Sequence, residues 1–314
     1  MATNSIMLMP TLRIATRKSP LALWQAEHVA AALVAKNSTL TPKICRYSTQ
    51  GDKILDTPLA KIGGKGLFVK ELEVGLLEHT ADIAVHSIKD MPVNLPDGLQ
   101  LTTILARADP QDAFVSNQYA SLADLPKGAC LGTASLRRES QIRQQYPHLR
   151  IVTLRGNVNT RLRKLDDGQY AAILLAAAGL ERLGLAHRIR QRLPIETSLP
   201  AIGQGAIGIE SRTDDSVTNQ LIAALHDADT ACCIVAERAL NCRLEGGCQV
   251  PIAGHATLHK DQIWLRGLVG AVDGSRILRA EYRGPRNRAE ALGKTVADDL
   301  LQQGAAELLQ MVHG

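Results

Sequence analysis

Ala201 to Glu210 reads AIGQGAIGIE, and Gly203–Gly208 within it is a formal GxGxxG match. A dinucleotide-binding fold needs a helix straight after such a loop, so that the helix N-terminus can hold the pyrophosphate. Here Ile209-Glu210-Ser211 reads as a strand, and a nucleotide site is rejected. The glycine-rich segment within Leu199–Ser211 is expected instead to return the chain to an α/β domain begun at the N-terminus. That domain is then discontinuous, and its two crossings form a hinge. The 314 residues divide into a first domain at 1–105 and 200–224, a second at 106–199 and a third at 225–314.

Upstream, strands and helices alternate. Leu12–Thr16 is a short buried strand, and Ser19-Pro20 is an N-cap followed by proline at the first helical position, opening an apolar helix to about Lys36. A second strand, Lys43–Thr49, leads into a long loop, Gln50–Gly66. The loop ends in Gly63-Gly64-Lys65-Gly66 before a helix beginning near Leu67. It lacks phosphate-loop spacing and reads better as a mobile lid. A third strand, Asp82–Val85, runs into His86-Ser87-Ile88-Lys89-Asp90-Met91-Pro92. Lys89 and Asp90 therefore fall just past a strand end, where open α/β sheets gather ligand-binding groups. Asp90 reads equally well as a turn acid, and His86 as a satisfied structural histidine.

The second unit starts near Gln111. Strand-like Ala129–Thr133 passes through Ser135 into a helix with Arg137 and Arg138 in its first turn. Strand-like Ile151–Leu154 passes through Arg155-Gly156-Asn157 into a helix carrying Arg161. Cations there are awkward unless an anion is near, because the helix N-terminus is itself positive. Arg143, Arg150 and Arg163 read as surface charge. Between Leu131 and Leu165 the local net charge is +7, leaving −2 for the rest of a chain whose total is +5. With 3% aromatic residues there is little to stack on bases, so a small polyanion is favoured over nucleic acid.

Downstream, a helix from about Thr230 to Arg243 precedes LEGGCQVPIAG (244–254), in which Gly246 and Gly247 leave room for a large group to approach the Cys248 thiol. Taken alone, Cys248 reads as a buried cysteine on a glycine turn. Three apolar strands follow, Val250–Leu258, Gln262–Val272 and Ser275–Tyr282, then one or two helices, giving an α+β module with a three-stranded antiparallel sheet. No histidine cluster stands at metal-ligand spacing, so no metal is expected. The six cysteines are scattered and the N-terminus shows no basic-then-apolar signal, which suits a reducing cytoplasm. Apolar runs fall well short of a membrane span.

The chain resembles the porphobilinogen deaminase (hydroxymethylbilane synthase) family over nearly its whole length. The matching stretches are IATRKSPLALWQA (14–26), KIGGKGLFVKELE (61–73), AVHSIKDMP (84–92), LGTASLRR (131–138), LRGNVNTRL (154–162), AIGQGAIGIE (201–210) and LEGGCQVPI (244–252). The resemblance implies two hinged α/β domains like those of type II periplasmic binding proteins, plus the C-terminal α+β domain. It implies a cytoplasmic, monomeric transferase of tetrapyrrole and heme biosynthesis that condenses four porphobilinogen molecules and releases a linear tetrapyrrole.

By the same resemblance Cys248 carries a dipyrromethane cofactor through a thioether, and Asp90 is the catalytic acid beside it. Arg17, Ser19, Lys89, Thr133, Ser135, Arg137, Arg138, Arg155 and Arg161 would contact carboxylates of cofactor and substrate. Lys61, Lys65 and Phe68 would belong to an active-site loop, with Gln25, Arg182 and Gln204 at lesser cleft positions. Cys242 is a second thiol near the attachment loop where the family pattern suggests none. A non-catalytic, anion-binding module of solute-binding type is the alternative, and it predicts no covalent group and no product.

Overall fold

The computed structural model of the chain describes residues 11–53, 66–246 and 250–313. The first layer begins with β1 (Thr11–Arg17), α1 (Pro20–Lys36), β2 (Thr41–Tyr47) and one helical turn at Gln50–Lys53. It continues with α2 (Lys70–Leu77), β3 (Ile83–Ser87) and β4 (Leu99–Ile104). Ser19 caps α1, its hydroxyl accepting from the Ala22 amide at 3.4 Å, with Pro20 next as its sequence position dictates. The helix expected near Leu67 begins at Lys70, because Gly66, at φ +84°, opens a turn that delays it.

The second layer holds β5 (Asp112–Val115), β6 (Cys130–Gly132), α3 (Leu136–Gln145), β7 (Arg150–Val152) and α4 (Val158–Asp166). It closes with β8 (Ala172–Ala176), α5 (Ala177–Arg182) and β9 (Gln191–Leu193). The chain then returns as β10 (Ile207–Arg212), a strand as its sequence predicts, and α6 (Ser216–Ala223). The last part comprises α7 (Ala228–Arg243), β11 (Ile252–His259), β12 (Gln262–Gly270), β13 (Ile277–Pro285), α8 (Ala289–Gln302) and α9 (Ala305–His313).

The two α/β sheets share one plan. In the first the order is β2-β1-β3-β10-β4, and in the second β7-β6-β8-β5-β9. Each has a parallel trio, with β10 antiparallel to β3 and β4, and β5 antiparallel to β8 and β9. Because β10 pairs inside the first sheet, the chain visits that sheet twice. Parallel strands must be covered on both faces, and β3 accordingly buries four of its five residues and β1 four of its seven. The third sheet, β11-β12-β13, is antiparallel and packs α7 and α8 on one face through Leu240, Ile252, Leu265, Val269, Val296 and Leu300.

The crossings between the first two sheets touch. Ala108 N–H donates to the Gly205 carbonyl at 3.2 Å, and a side chain at Gly205 (φ +89°) would sit 2.5 Å from the Ala108 carbonyl oxygen. At Gly203 (φ +70°) it would sit 2.2 Å from Ile88, just under the Lys89–Asp90 turn. The glycines that imitate a nucleotide motif thus serve close backbone approach. Glu237, fully buried on α7, accepts from Arg107 in one crossing and from the Gly203 amide in the other, joining the third module to both.

Candidate active site

The candidate side chains stand at the carboxyl ends of strands in both sheets. From the first sheet come Arg17 at the end of β1, Ser19 at the α1 cap, and Lys89 and Asp90 in a 3₁₀ turn just past β3. Ile88 N–H donates to the Ala206 carbonyl at 3.1 Å, and Gln25 on α1 donates to the Ser87 hydroxyl at 2.9 Å, so that turn is held from two sides. Asp90 keeps 35% of its side chain exposed, with an oxygen 4.0 Å from an Arg17 nitrogen. Phe68 lies under the Arg17 guanidinium, 4.3 Å from ring centre to cation. His86 is the structural histidine expected, its ring 2.9 Å from buried Glu210.

From the second sheet come Thr133 after β6, Ser135 at the α3 cap, and Arg155 and Arg161 around the α4 cap. Thr133 Oγ1 accepts from the Ser135 amide at 3.2 Å, and Ser135 Oγ from Arg138 N–H at 3.4 Å. Asn157 caps α4, and Arg161 Nε donates to the Gly156 carbonyl at 2.8 Å, which aims the guanidinium back over the helix start. Burial, then the nearby charges of Arg138 and Arg155, pulls Arg161 down to about 10, with Asp90 opposing. Burial also lowers Arg155. Lys89 is brought down to about 8, mainly by burial, with Arg138 and Arg137 adding and Asp90 and Asp112 opposing. Such crowding of cations favours an anionic guest.

Arg137 and Arg138 meet a carboxylate from within the chain. They are 3% and 5% exposed, and both donate to buried Asp112. A buried carboxylate there answers the positive helix start and the two guanidiniums. Asp112 was missed because it has no local motif and its partners lie far along the chain. Of the charges read as surface, Arg163 is exposed and Arg143 pairs with Glu139 at 2.8 Å.

The lesser positions also reach the crossings. Arg182 donates to the Gly205 carbonyl at 2.6 Å, 5.8 Å from the Trp24 ring centre, and burial lowers it to about 10. Gln204 is buried, donating to the Pro110 carbonyl and to Asp112, with its own amide oxygen lacking a partner among the described residues. Lys61, Lys65 and Cys248 lie outside the described residues. What precedes Cys248 is described: Arg238 near the end of α7 donates to the carbonyls of Pro92 and Val93, both at 3.0 Å, two and three residues past Asp90. A side chain at Gly246 would meet Asn241 and Ile252, so this turn closes tightly.

A group bearing several carboxylates fits this donor set. Two layers of cations, the amides of two capped helix starts and one half-exposed carboxylate can bind acidic side arms while leaving an acid–base group at the ring atoms.

Two family models match the chain. A family model described as porphobilinogen deaminase, dipyromethane cofactor binding domain, matches residues 12–220, and one described as porphobilinogen deaminase, C-terminal domain, matches 231–302. Among solved structures, the chain is similar to a putative methionine-binding lipoprotein from Bacillus subtilis at 13% identity and TM-score 0.44, over 70% of this chain and 92% of that one. The Bordetella pertussis BvgS periplasmic VFT2 domain is 17% identical with TM-score 0.41, over 69% and 87%. A nutrient binding protein from Burkholderia cenocepacia bound to methionine is 14% identical with TM-score 0.42, over 68% and 91%.

Proposed function

The chain belongs to the porphobilinogen deaminase family, and from that premise we propose that it condenses four porphobilinogen molecules, with loss of ammonia at each step, and releases linear hydroxymethylbilane by hydrolysis. The family's cofactor is dipyrromethane; we propose Cys248 as its thioether anchor. When bound, it supplies the electron-rich pyrrole carbon on which the product grows. Arg17, Lys89, Arg155 and Arg161 bind the acetate and propionate arms, with Ser19, Thr133 and Ser135 adding neutral donors. Asp90 holds a proton near the departing amine, and its negative charge steadies the positive charge left behind. Arg137 and Arg138, held by Asp112, contribute to binding the same acidic arms.

One observation carries the reading. Asp90, 35% exposed just past a strand end, has an oxygen 4.0 Å from Arg17 of the first sheet, and its charge also acts on Arg161 of the second, so an acidic substrate held by these cations would meet a carboxylate. The test supplies porphobilinogen to the purified protein and counts products. Four ammonia released per linear tetrapyrrole is expected. Tight binding of porphobilinogen without ammonia release would contradict the reading and favour a binding module.

A further inference from the structure

Asp112 opens β5, where the first crossing enters the second sheet, and its side chain is fully buried. Its Oδ2 accepts from Arg137 at 2.8 Å and Ser198 Oγ at 2.7 Å. Its Oδ1 accepts from Arg138 Nε at 2.9 Å, Arg138 Nη2 at 2.7 Å, Arg137 Nη2 at 3.1 Å and Gln204 Nε2 at 2.9 Å. Ser198 and Gln204 belong to the return crossing, as does Leu199, whose carbonyl takes a second Arg137 bond at 2.6 Å. One carboxylate therefore sets both guanidiniums of the α3 start and secures them to the segment that ends under the Lys89–Asp90 turn. A buried pair of like cations keeps its place only with such a counter-ion.

We propose that Asp112 is a positioning residue for the condensation, holding Arg137 and Arg138 at the start of α3 and balancing their charge. This rests on the functional reading above. Lys89 is faced by Asp90 on its own turn, by Arg137 and Arg138 from α3 and by Asp112 from β5. Asp112 opposes the two arginines. Without its charge only Asp90 opposes them at Lys89, and the ammonium is lost at lower pH than the present value of about 8.

The experiment compares the full-length holoenzyme with Asp112→Asn and Asp112→Glu, measuring kcat and KM for porphobilinogen from neutral to alkaline pH, with circular dichroism to report folding. In Asp112→Asn the alkaline limb of kcat/KM moves to lower pH, and KM rises by roughly tenfold while kcat falls less. Asp112→Glu keeps the charge and so the parent limb, but its longer side chain displaces Arg138 and raises KM. A purely structural role predicts parent pH profiles and parent KM in the folded fraction of both variants, and that result would overturn the proposal. If the Asn variant does not fold, the Glu variant decides, and an unchanged KM overturns the proposal. A parent that releases no ammonia from porphobilinogen overturns the functional reading, and this inference with it.

Discussion

Asp90 sits where a carboxylate can serve either chemistry or the turn before Met91-Pro92, and substitution separates the two roles. Asp90→Asn is nearly isosteric but offers neither negative charge nor a transferable proton, so turnover should fall by at least roughly 10²-fold with the fold intact. Asp90→Glu should retain more. A turn-forming role predicts the reverse, with Asn tolerated and Glu not; product formation by both variants decides. The arginines divide in the same way. Replacing Arg155 or Arg161 by Leu should cost about 10- to 100-fold in elongation or cofactor assembly, as charge-assisted bonds of roughly 1.5–3 kcal/mol are lost. Exposed Arg163 should cost little, and equal losses at all three positions would mean general surface charge. Lys89, Asp90 and Arg161 were legible in the sequence because strand ends and helix starts announce themselves locally. Asp112 was not, since Arg137, Arg138, Ser198 and Gln204 lie 25, 26, 86 and 92 residues away from it.

At the scale of elements, α2 carries a titratable group into the first layer. Glu73 is 6% exposed, with one carboxylate oxygen lacking a partner among the described residues. Burial first, then Glu210, raises it from 4.5 to about 7, with His86 and Lys70 opposing. Below pH 4.5 the folded and unfolded states both hold the proton, so the group contributes nothing to the pH dependence. Between 4.5 and about 7 only the folded state keeps it, so stability falls as pH rises, and above that range the loss is complete. Glu73→Gln should remove this slope and leave the protein more stable at alkaline pH by on the order of 2 kcal/mol. Urea unfolding at acidic and alkaline pH measures it, and an unchanged slope would exclude Glu73 as its source. Helix starts were legible because Ser19, Ser135 and Asn157 are good caps. Strand lengths in the second sheet were less so, since β6 and β7 span only three residues each.

For the molecule as a whole, two similar sheets with crossings locked by Glu237 explain how distant stretches make one site. The return of the chain through AIGQGAIGIE was legible because a strand follows its glycines, where a nucleotide fold needs a helix. The lock itself was not, because Arg107 and Gly203 on the two crossings and Glu237 on α7 lie far apart along the chain. The central claim is that this cleft builds a tetrapyrrole on a group anchored by the chain itself. Intact-protein mass spectrometry followed by peptide mapping tests it most directly. The account predicts a mass above that of the sequence by one dipyrromethane, retained under reducing agents and found on the peptide containing Cys248. A fully active protein at its bare sequence mass, or an adduct on Cys242 instead, would contradict it.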